Sequence, residues 1–60
     1  MSVHLFLNGQ KVSRKNIANI VAKKQLDAFI EDAKHMYIID PLISADYFIS
    51  GYGMLTIKFA

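Results

Sequence analysis

Val3-His4-Leu5-Phe6-Leu7-Asn8-Gly9-Gln10-Lys11-Val12 is the stretch whose reading decides the fold. Val3, Leu5 and Leu7 alternate with Ser2, His4 and Phe6, the period of two that sends successive side chains to opposite faces of a strand. Asn8-Gly9 then interrupts the pattern. A two-residue type I′ turn needs positive φ at both central positions, which Asn and Gly adopt most readily, so the chain reads as a hairpin returning through residues 10–12. Ser13 suits a helix N-cap, because its hydroxyl can accept from an orphan backbone N–H. Asn16, three places on, leaves the capping box incomplete.

Downstream, residues 14–37 contain neither Gly nor Pro and predict helix. Ile17, Ile20 and Val21 mark one apolar stripe; Leu26, Phe29, Ile30, Ala33 and Tyr37 mark another. At about 100° per residue the stripe centres lie about 170° apart, so one straight helix would show opposite apolar faces in its two halves. Either the helix breaks, with residues 22–25 as the expected place, or one half packs on a partner. Lys23 and Lys24 fit the C-terminus of a first helix and Asp27 the first turn of a second. Pro41 ends any helix by Asp40. Residues 36–39 read as the helix end or a short buried strand.

A second hairpin follows: residues 47–50 are rich in strand formers, Gly51-Tyr52-Gly53 is a turn, and residues 54–59 alternate. Leu55, Ile57 and Phe59 should face one way, Met54, Thr56 and Lys58 the other. The expected fold is α+β, with an antiparallel sheet built from an N-terminal and a C-terminal β-hairpin. One helical layer, a long helix or two short ones, covers one face.

Size sharpens this picture. The chain has 60 residues, read as one domain, and 26 are large apolar or aromatic. A domain this short buries only about 60% of its unfolded surface. It has no cysteine, so neither disulfides nor thiolate metal sites can staple it. Hiding that much apolar surface favours a homodimer, and the expected contact surface is Phe6, Ile17, Ile20, Val21, Phe48 and Met54.

Charge is asymmetric. Lys11, Arg14, Lys15, Lys23 and Lys24 all precede residue 25 without an acid among them, while Asp27, Glu31, Asp32, Asp40 and Asp46 come later. The basic cluster can meet a second protein or, as the alternative, nucleic-acid phosphates. The net charge of only +2 gives little long-range attraction.

Catalytic and metal chemistry find weak footing. His4 stands alone, and Glu31 with His35 offers two ligands at i, i+4 where a metal site needs more. No serine lies in a nucleophile elbow. Asp40 before Pro41 reads as a turn and Asp46 as a strand boundary, more readily than as an acid–base pair. No secretory n-region precedes the apolar start, and the charge-free stretches are too short to span a bilayer. The expectation is a non-enzymatic cytoplasmic association module with no catalytic residue, metal, cofactor, small-molecule substrate or membrane contact.

Overall fold

A computed structural model describes residues 2–42 and 44–59. Strand β1 (Val3–Leu7) turns into β2 (Gln10–Val12) through Asn8 and Gly9, whose φ angles are 51° and 85°. Both turn residues thus adopt the positive φ that the Asn-Gly pair predicts. Ser13 caps helix α1 (Arg14–Ile17), its Oγ accepting from the Asn16 N–H at 3.1 Å. Helix α2 (Lys23–Ile39) follows, then β3 (Ala45–Ile49) and β4 (Gly53–Phe59).

The two hairpins join into one antiparallel sheet of order β2-β1-β4-β3. Its central ladder pairs Val3 with Phe59, Leu5 with Ile57 and Leu7 with Leu55. Val3, Leu5, Leu7, Leu55, Ile57 and Phe59 consequently share the face on which α2 packs. Leu5, Leu55 and Ile57 meet Leu26 and Ala33 of α2 in the core, with Ala45 closing it from β3.

The helical region does break, over residues 18–22, meeting the expected 22–25 window at Ala22. After α1 the backbone tightens: the Ile20 N–H donates to the Ile17 carbonyl at 2.9 Å and the Val21 N–H to the same oxygen at 2.8 Å. Ala22, at φ −57° and ψ 144°, leaves helical geometry and starts α2 without a side-chain cap. This change of direction absorbs the phase jump, because Ile17 and Val21 now turn into the same core as Leu26. Lys23 and Lys24 accordingly open α2 instead of ending an earlier helix. Asp40 ends α2 in extended geometry, as its position before Pro41 requires.

A lateral clasp joins the hairpin turns. The Asn8 side chain donates to the Tyr52 carbonyl at 2.7 Å and accepts from the Met54 N–H at 3.0 Å. Gly53 has φ +120°, and a Cβ there would run into the Asn8 amide. Only glycine fits under that clasp.

Candidate interaction surface

One sheet face lies under α2; the other has no layer over it among the described residues. Cross-strand register builds the open face in rows. Lys11, Phe6, Thr56 and Asp46 form one row across the four strands, and Met54 stands beside Phe48 in the next. His4 pairs with Lys58 in a third. Apolar and charged groups are interleaved: the Lys58 ammonium lies 5.5 Å from the Phe6 ring centroid, a cation–π contact that leaves Phe6 half-buried. The Thr56 hydroxyl donates to Asp46 Oδ1 at 2.6 Å. Phe48 and Met54 have no such cover, at 72% and 42% exposure.

Three of the six residues expected at a self-association surface, Phe6, Phe48 and Met54, therefore share the open face. Ile20 is half-buried and borders, with Phe29, Phe48 and Ile49, an apolar groove of about 400 Å³ where the α1–α2 link meets β3. The apolar surface thus wraps around the β3 edge. Ile17 does not belong to it, and Val21 reaches it only as part of the groove's lining. They are 0% and 6% exposed in the chain's own core, because the break aims their stripe inward; this corrects the sequence expectation.

All five residues of the basic cluster are exposed. Lys11 points from β2 onto the open face, Arg14 and Lys15 belong to α1, and Lys23 and Lys24 lie in the first turn of α2, which holds no acid. Cations there add to the positive end of the helix dipole.

The remaining polar candidates have structural duties. Asp40 Oδ1 accepts from the Leu42 N–H at 3.0 Å, closing a turn around Pro41, and Asp46 is held by Thr56. His35 Nε2 lies 3.6 Å from Glu31 Oε1 in an exposed i, i+4 pair of little energetic weight. Among the described residues no group of three or more His, Asp or Glu could hold a metal ion, and no helix is long and apolar enough to cross a membrane.

Two features lay beyond sequence reading. Tyr47 stacks on Phe29 at 4.5 Å and 20°, and its hydroxyl donates to Asp32 Oδ2 at 2.6 Å. Burial, then the bond to Asp32 and its charge, push the phenol well above its ordinary range. Ile38 and Ile39 at the end of α2 are exposed, as is Leu42 beyond it. A run at 36–39 is visible in the sequence, but the seating of α2 decides that Met36 and Tyr37 pack inward while Ile38 and Ile39 face out.

Comparison with protein-family models, with curated proteins and with solved structures finds no match to this chain.

Proposed function

We propose that this chain is a non-enzymatic association module that binds a second copy of itself through the apolar surface around β3. One observation carries the reading: Phe48, a large aromatic residue paired with Met54 in the β3–β4 ladder, is 72% exposed on a sheet face without a covering layer among the described residues. Scattered exposed apolar residues are ordinary, but a cluster continuous with an apolar groove is the kind of surface that partners cover. A cytoplasmic site of action and a further protein partner belong to the same proposal and rest on the sequence pattern alone. Light scattering over a tenfold dilution from the tens-of-micromolar range tests it. The expected mass is twice 6.8 kDa at the upper end; a constant monomer mass would overturn it.

Nucleic-acid binding is the second reading, favoured by the placement of Lys23 and Lys24 where they oppose the α2 dipole, an arrangement the fold itself does not need. Its test is salt dependence. Binding to a short duplex should fall with ionic strength, and neutralising Lys11, Arg14 and Lys15 should flatten the slope by about one unit per lost phosphate contact.

A further inference from the structure

The apolar surface surrounds a strand edge, and the hydrogen-bond alternation tells which backbone groups that edge presents. Met54 engages β1: its carbonyl accepts from the Asn8 N–H at 2.9 Å, and its N–H donates to the Asn8 side chain. In an antiparallel ladder the residues alternate in the side to which their backbone groups turn. Gly53, Leu55 and Ile57 therefore direct theirs toward β3, where their register partners are Ile49, Tyr47 and Ala45. Asp46 and Phe48 are left with N–H and C=O groups pointing off the sheet.

The opposite edge differs. Strand β2 has three residues, carries Lys11, and runs directly into Ser13 and α1. Short, charged edges resist pairing; a longer one with an exposed aromatic residue invites it, although β3 also carries Asp46. Strand β3 has five residues.

Resting on the self-association reading above, we propose that two copies join by antiparallel pairing of their β3 edges, with Phe48 on the two-fold axis. Symmetry and alternation leave few registers, because only residues with outward backbone groups can face one another as hydrogen-bonded pairs. Centring on Asp46 sets two carboxylates directly opposite, which is repulsive. Centring on Tyr47 sets each Asp46 against a phenylalanine. Centring on Phe48 sets Phe48 against Phe48 of the partner subunit and brings Asp46 to the partner's Ser50, the turn residue directly after β3, whose hydroxyl is able to donate to the carboxylate. That register also extends the row of Met54 and Phe48 across the axis into four consecutive apolar side chains. Aromatic cross-strand pairs favour it, and the two Asp46 carboxylates are held apart.

The absence of cysteine makes the test clean, since any thiol introduced is the only one. A mixture of Asp46→Cys and Ser50→Cys chains, which keeps Phe48, is treated with a short bifunctional maleimide. The expected result is a covalent heterodimer formed at least tenfold faster than dimers of Phe6→Cys, on the open face, or Lys11→Cys, on the β2 edge. Equal or faster linking at Phe6→Cys would mean face-to-face association and overturn edge pairing, while the self-association reading stands. Faster linking of Asp46→Cys with Phe48→Cys chains would overturn the register. Phe48→Pro removes an outward N–H together with the aromatic ring, leaves the β4 ladder intact, and should give a folded monomer by light scattering and circular dichroism. A Phe48→Pro dimer would overturn the proposal. A wild-type chain that stays monomeric would defeat both readings together.

Discussion

Leu55 and Met54 are consecutive residues of β4, yet Leu55 is fully buried and Met54 is 42% exposed. Tyr47 and Phe48 divide in the same way one strand over: Tyr47 stacks under α2, and Phe48 stands out in solvent. The pleat of the strand makes this division, and the single helical layer gives it consequence. One face of the sheet supplies stability through close packing of aliphatic side chains. The other supplies little to the isolated chain and is available for association. The same residue type therefore has different physical meaning at odd and even positions.

Substitutions can break this comparison. Leu55→Ala should have the largest effect, about 2–5 kcal/mol in urea denaturation, because it empties volume among Leu5, Leu26 and Ile57. In a domain of this length such a loss approaches the whole stability of about 3–9 kcal/mol. Gly53→Ala comes next, at about 1–3 kcal/mol, since it strains a positive-φ residue and displaces the Asn8 side chain. Comparing it with Asn8→Ala separates backbone strain from loss of the clasp.

Tyr47→Phe should cost about 0.5–1.5 kcal/mol at neutral pH by removing the bond to Asp32. Its pH dependence sharpens the contrast between the faces. The phenol is held above its ordinary range in the folded state, so its contribution is complete below pH about 10 and is lost as pH rises further. Wild type should thus lose stability with alkali more steeply than Tyr47→Phe, and the variant should lack the late step in the phenolate absorbance titration. Met54→Ala closes the series with a change within about 0.5 kcal/mol for the monomer. A Met54→Ala loss comparable to that of Leu55→Ala would show that the open face is covered in the folded chain.

Both hairpins were legible because their signals are local. Asn8-Gly9 carries its own conformational preference, and the alternation in residues 54–59 assigns Leu55, Ile57 and Phe59 to one face without tertiary information. The phase jump likewise announced a break in the helical region. The break begins earlier than the charges suggest, because Lys23 and Lys24 imply a helix end, whereas geometry at Ala22 makes them a helix start. Tertiary seating of Ile17 and Val21 outweighed an unfavourable dipole contact worth a few tenths of a kcal/mol each. The candidate surface was half legible for the same reason. Phe6, Phe48 and Met54 follow from strand period alone, while the fate of Ile17, Ile20 and Val21 depends on how the chain bends after α1. Which strands form the edges, and hence the special position of β3, depends on the pairing of β1 with β4, between segments nearly a whole chain apart.

That pairing places the first of the four strands in chain order against the fourth. While the ribosome is still working toward Phe59, the β1–β2 hairpin has no neighbour on its inner side, and a two-stranded hairpin is marginal by itself. At about 5–20 residues per second, the emerging chain spends seconds with Leu5 and Leu7 uncovered. The sheet cannot be complete until β4 enters between β1 and β3, so it does not simply grow outward from the first hairpin. Slow decoding of residues 53–59 would prolong the interval in which Leu5 and Leu7 lack their β4 partners.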